Sequence, residues 1–117
     1  MKETKSGVMW DCTIFGESMD FPEKATVLLP ENGRSYFREK GLCLEDVEIA
    51  LWKQGDKALA TTRDFVIYFK ETQKWVVCEI DQNKKGEGFF IKITFSWQED
   101  CLQELLEAKD NCPVLII

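Results

Sequence analysis

The stretch from Phe89 to Trp97 constrains this chain more than any other. Phe89, Ile91, Ile93, Phe95 and Trp97 alternate with Phe90, Lys92, Thr94 and Ser96. That is a period of two, the signature of a strand with one face buried and the other largely wet. A strand of this kind needs neighbours to pair with and a layer to cover its apolar face. The rest of the sequence has to supply both.

The neighbours are legible on either side. Val8 to Phe15 is rich in β-formers and ends at Gly16, so it reads as a strand. Gly16 to Glu23 is a loop closed by Pro22, and Ala25 to Leu29 is a short strand stopped by Pro30. After the middle of the chain come three more candidates, Ala58 to Thr62, Phe65 to Lys70 and Lys74 to Asp81. Glu71-Thr72-Gln73 and Asn83 to Gly88 then join neighbours as hairpin loops, which predicts antiparallel pairing.

The covering layer comes from the middle. Asn32 to Lys40 predicts a short helix with Gly41 at the position just past its end. Leu44, Val47 and Leu51 follow the i, i+3, i+7 spacing of one helical face, which predicts a second helix from Leu44 to Gln54, ended by Gly55. Glu45, Asp46 and Glu48 load its first turns with negative charge, the sign favoured at a helix N-terminus. Ser96-Trp97-Gln98-Glu99 matches a capping box and predicts a third helix running to Lys109, with Cys101, Leu102, Leu105 and Leu106 on one stripe. Asn111 and Pro113 stop it. The tail Val114 to Ile117 is too apolar to stay in water, so it docks on the core or adds an edge strand.

The expected fold class is therefore α+β. It is a mainly antiparallel sheet of five to six strands with two or three helices packed on one face. At 117 residues one domain spanning 1–117 is expected, with residues 1–6 frayed. Eight phenylalanines and four tryptophans supply enough bulk for a core that needs no disulfide or metal.

The cysteines agree with that. Cys12, Cys43, Cys78, Cys101 and Cys112 are odd in number and no two share a C-x-x-C spacing. This favours reduced thiols acting as small hydrophobes. The first residues lead into no apolar run, so no signal peptide is expected. No apolar run reaches the ~20 residues of a membrane helix. Together these predict a cytoplasmic protein without membrane partners.

Charge and composition sort the function classes. The formal net charge is −6, and there is no histidine. Histidine acid/base catalysis and His-ligated metal sites are excluded. The overall field has the wrong sign for binding DNA by bulk charge. A helix-turn-helix reading of the two central helices fails for the same reason, since Glu45, Asp46 and Glu48 would meet phosphates. No P-loop, nucleophile elbow, dinucleotide fingerprint or EF-hand loop is present. No cofactor and no metal are expected. Arg63, Tyr68, Lys70, Lys74, Lys84, Lys85 and Lys92 form a local basic set in the second half, with Tyr68 and Lys70 on one strand face. Trp52 lies off the main helical stripe and is a candidate interface anchor.

The order of features over residues 32–97 resembles the BrnT-like branch of the RelE-type ribonuclease toxin fold. The resemblance is carried by Arg38-Glu39-Lys40-Gly41-Leu42-Cys43-Leu44-Glu45-Asp46-Val47-Glu48-Ile49-Ala50-Leu51, a helix–Gly–helix unit before an antiparallel sheet. Ile91-Lys92-Ile93-Thr94-Phe95 is similar to that family's terminal strand. The positions where the family carries a His and an Arg hold Asn32 and Tyr36 here. What the resemblance implies is RNA cleavage without histidine, with Arg63, Tyr68, Lys70 and Lys92 as the catalytic set.

The residues themselves favour a different reading. An acidic, histidine-free domain without a catalytic motif fits a protein-binding module that neutralises a basic partner, as an immunity protein or antitoxin does. Its expected contact set is Glu45, Asp46, Glu48 and Trp52. A small-molecule-binding sheet module is the third class, to be recognised by a deep apolar pocket with converging polar groups.

Overall fold

Between Gly7 and Ile14 the side chains alternate sides: Val8, Trp10, Cys12 and Ile14 are buried, while Asp11 and Thr13 are exposed. This strand belongs to one sheet in the computed structural model, which describes residues 2–4, 7–60, 64–82, 88–94 and 113–117. In chain order the elements are β1 (Lys2–Thr4), β2 (Gly7–Ile14), β3 (Glu23–Pro30), α1 (Glu31–Lys40), α2 (Leu44–Leu59), β4 (Asp64–Phe69), β5 (Lys74–Gln82), β6 (Phe89–Thr94) and β7 (Val114–Ile116). The third helix expected over Ser96–Lys109 lies outside the described residues, as do Phe95 and Trp97.

The α+β class holds, with two helices among the described residues. The sheet differs from expectation in number and direction. It has seven strands in the order β1-β2-β3-β6-β5-β4-β7. Neighbours are antiparallel except β3–β6 and β4–β7, which are parallel. The cause is the pair of central helices. They carry the chain from β3 past two strand positions to β4, and the hairpins β4–β5 and β5–β6 then refill the gap. The last of these returns beside β3 in the same direction. Local spacing predicts hairpins, whereas parallel pairs arise from crossovers that spacing does not show. Lys2–Thr4, in the stretch read as frayed, pairs with β2 through Lys2↔Met9, Glu3↔Val8 and Thr4↔Gly7. The apolar tail forms β7 beside β4.

Register lines up the core. Trp10 is opposite Val27, Val27 opposite Ile91, and Ile91 opposite Ile80, so one buried row crosses four strands. A second row joins Ile93, Cys78 and Phe65, and a third joins Val76, Ile67 and Leu115. Tyr36 and Phe37 of α1 and Val47, Ala50, Leu51 and Ala58 of α2 complete the same cluster. Each large side chain buried this way contributes roughly 1.5–3 kcal/mol. Among the described residues no charged side chain is buried, and the buried Tyr36 hydroxyl donates to the Trp75 carbonyl at 3.3 Å.

The turn between the helices follows from Gly41. It takes φ 69°, ψ 29°, with its N–H on the Arg38 carbonyl and the Leu42 N–H on the Phe37 carbonyl. These two bonds define a Schellman end.

Gly55 corrects the reading of α2. The helix does break at Gln54, where its end was expected, but a second helical segment runs on to Leu59, so the strand expected from Ala58 is helical at its start. In a regular helix the Leu51 carbonyl would accept from the Gly55 N–H. Here Gln54 leaves helical geometry at φ −132°, ψ 16°, and the backbone of Phe15 enters the break. The Phe15 N–H donates to the Leu51 carbonyl at 2.9 Å, and the Gly55 N–H donates to the Phe15 carbonyl at 2.8 Å. Both helical groups keep a partner, so the helix resumes. Only glycine leaves room for this. A Cβ on Gly55 would lie 2.3 Å from Ile14 Cγ2 and 3.2 Å from both Phe15 N and O.

Gly55→Ala therefore tests the insertion by its sign. Helix propensity alone would make alanine more stable by about 1 kcal/mol. The clash predicts destabilisation of roughly 1–3 kcal/mol instead, measured by urea unfolding. A stabilised variant would contradict the insertion.

Candidate functional site

Once Phe15 is fixed in the break, the outer face of α2 acquires a definite shape. Glu45, Glu48, Ile49 and Trp52 follow helical spacing along one stripe before the break, opposite the buried Val47, Ala50 and Leu51. Two members of the stripe are large and apolar yet open to solvent: Ile49 is 40% exposed and Trp52 50%. Trp52 is stacked on Phe15, with ring centroids 5.2 Å apart at an interplanar angle of 30°. One side of the indole is thus held by a ring whose own backbone is bonded into α2.

The loop after β2 is tied to α2 just beyond the break. Ser18 donates to Asp56 Oδ2 from its hydroxyl at 2.9 Å and from its backbone N–H at 3.3 Å. The hydroxyl bond is the main reason that the Asp56 carboxyl is held below its ordinary value. Gly16 sits where a Cβ would come 2.1 Å from Asp56 Oδ1, so the loop starts in contact with the helix. This loop also carries the exposed Glu17, Asp20 and Phe21, the last 76% exposed. Lys53 is the exposed cation flanking Trp52.

The expected contact set divides. Glu45, Glu48 and Trp52 share the stripe. Asp46 is about 100° further round the helix. It is half-buried and lines a different feature, an open cleft of about 390 Å³ with Gly41, Cys43, Lys70 and Thr72 among its walls. Phe15, Ile49 and the Ser18–Asp56 pair were not anticipated. Ile49 had a readable signal, an apolar residue off the core stripe and three positions before Trp52.

The described members of the set implied by the ribonuclease resemblance are spread across the sheet. Tyr68 is half-buried on β4, Lys70 exposed just after it, and Lys92 exposed on β6. Tyr68 stands opposite Trp75 and Lys92 opposite Glu79, so the two rows are four residues apart along β5. That is about 13 Å along the strand, with the width of the strands to be added. Tyr68 and Lys92 do not converge. Arg63, Lys84 and Lys85 lie outside the described residues.

The thiols behave as core or surface groups. Cys12 is buried, and its pKa is pushed up to about 12, first by burial and then by the charge of Glu48. Burial, with Asp64 adding to it, pushes the Cys78 thiol up as well. Neither is a thiolate at neutral pH. Cys43 is exposed at the start of α2. Among the described residues no three His, Cys, Asp or Glu side chains cluster to hold a metal, and no helix is long and apolar enough to cross a membrane.

No protein-family model matches this sequence, and no curated protein or solved structure is significantly similar to it.

Replacing Ser18 by alanine tests the loop tether. A carboxyl with a lowered pKa in the fold stabilises it above the unfolded pKa of ~3.9, and loses that effect as pH falls through the folded value. Ser18→Ala should raise the Asp56 pKa toward the ordinary value, read by carbon-13 NMR titration. It should cost stability at pH 7 and less at pH 2. An unchanged Asp56 titration would rule the tether out.

Proposed function

We propose that the protein is a non-enzymatic binding module whose outer α2 face docks a basic protein partner, in the manner of an immunity protein or antitoxin-like inhibitor. The observation that carries this reading is the half-exposed Trp52, immobilised against Phe15 and bordered by Ile49 and acidic residues.

Aromatic anchors dominate binding energy when they enter a desolvated pocket. A ring already held by stacking loses little further freedom on binding, so more of its burial appears as affinity. On the same helix Glu45 and Glu48, and on the loop Glu17 and Asp20, carry negative charge that outweighs the neighbouring Lys53, within a chain of net charge −6. Such a rim accelerates encounter with a cationic surface and disfavours acidic partners. The stripe therefore combines an anchor that gives affinity with a field that gives selection.

The supporting geometry is local to α2 and the loop after β2. Among the described residues the arrangement does not favour RNA cleavage, because Tyr68 and Lys92 stand apart. Two clefts lined by described residues, of about 390 and 280 Å³, are open and of mixed polarity, unlike an enclosed apolar small-molecule site.

The test begins with a partner captured from the native cell and then measured against variants of this chain. Trp52→Ala should weaken the dissociation constant by roughly 30-fold or more, as expected of a central anchor. The pair Glu45→Gln and Glu48→Gln should slow association and flatten its salt dependence. If the partner is acidic, or if its affinity ignores Trp52→Ala, the proposal fails.

A further inference from the structure

Among the described strands the sheet ends at β7, a short edge of three residues after Pro113 that carries no charged side chain. Val114-Leu115-Ile116, followed by Ile117, contains no charge and no proline. Ile116 is 48% exposed. The opposite edge, β1, carries Lys2 and Glu3. An apolar, uncharged edge pairs with another strand unless something stands in the way.

Among the described residues, one side chain stands in the way at β7. Successive residues of a strand turn their pairing groups to opposite sides. Val66 N–H donates to the Pro113 carbonyl and Ile117 N–H to the Tyr68 carbonyl, each at 2.9 Å, so Pro113 and Ile117 face β4. Ile116 therefore faces outward. Its N–H donates to Gln54 Oε1 at 3.2 Å, and its carbonyl accepts from Gln54 Nε2. A carboxamide is chemically a peptide group, so Gln54 sits on β7 as one residue of an eighth strand would. Its place is set by the break in α2, since Gln54 is the residue with non-helical φ and ψ. Lys57 Nζ, 3.4 Å from Gln54 Oε1, steadies it.

We propose that the outer edge of β7 is a latent self-pairing surface, fitted to β7 of a second copy of this chain, and that the Gln54 carboxamide is the plug that keeps it closed. A second copy is the occupant because the edge is self-complementary. Antiparallel pairing about a two-fold axis sets Val114 of each copy opposite Ile116 of the other, with both outward pairs of groups bonded. The uncharged strand offers nothing to repel its own copy. The inference is independent of the docking face on α2, which lies on the solvent stripe of that helix.

The experiment is molar mass by light scattering across a wide concentration range, combined with amide exchange at Ile116. The unaltered chain should keep the mass of one copy and a protected Ile116 N–H. Gln54→Ala should double its mass as concentration rises. Adding Ile116→Lys to Gln54→Ala should return it to one copy, since lysine blunts edges. If Gln54→Ala does not fold, Gln54→Asn, one methylene too short to reach, should show the same doubling. Three results would overturn the proposal: an unaltered chain that already pairs through β7, a folded Gln54 variant that stays at one copy, or doubling that survives Ile116→Lys.

Discussion

The structure depends on a single exchange of backbone hydrogen bonds, in which Phe15 takes the place of one rung of the α2 ladder. A helix that loses a rung normally leaves a carbonyl and an N–H without partners, each costing about 1–3 kcal/mol if buried. Here Leu51 and Gly55 both bond to Phe15, so nothing is left unsatisfied. The sheet and the helix layer are thereby joined by hydrogen bonds as well as by apolar packing. Apolar contact tolerates sliding, whereas two backbone bonds at 2.8 and 2.9 Å fix position and orientation together.

Two features of the surface follow from that junction. Holding Phe15 places its ring against that of Trp52, so the half-exposed tryptophan is stacked on one side. The same break turns Gln54 out of the helical path and aims its carboxamide at β7. One local irregularity thus shapes the face that we assign to binding and closes the edge that would otherwise pair. The acidic stripe adds a field to the first of these, while the second remains uncharged.

Much of this fold is written in local sequence. Alternation marks β2, β5 and β6, and the positions of Pro30 and Gly41 bound α1 closely. The apolar tail announces an edge strand. What local pattern does not carry is any partner distant in the chain. Gly55 looks like a helix stop because its compensating bonds come from Phe15, forty positions away. The parallel β3–β6 pair is hidden for the same reason, since a crossover through two helices leaves no spacing signal. The site is half legible. Charge and helical spacing single out Glu45, Glu48 and Trp52, but the ring beneath Trp52 belongs to the end of another strand.

The central claim is that the Phe15 insertion is part of the rigid core and not a surface contact. Amide hydrogen exchange at Phe15 and Gly55 tests it most directly. Both N–H groups should be protected together and exchange only with unfolding of the core, at the rate of Val27 and Ile91. Exchange of either amide at the rate of the exposed loop residues Glu17 and Asp20 would contradict the account.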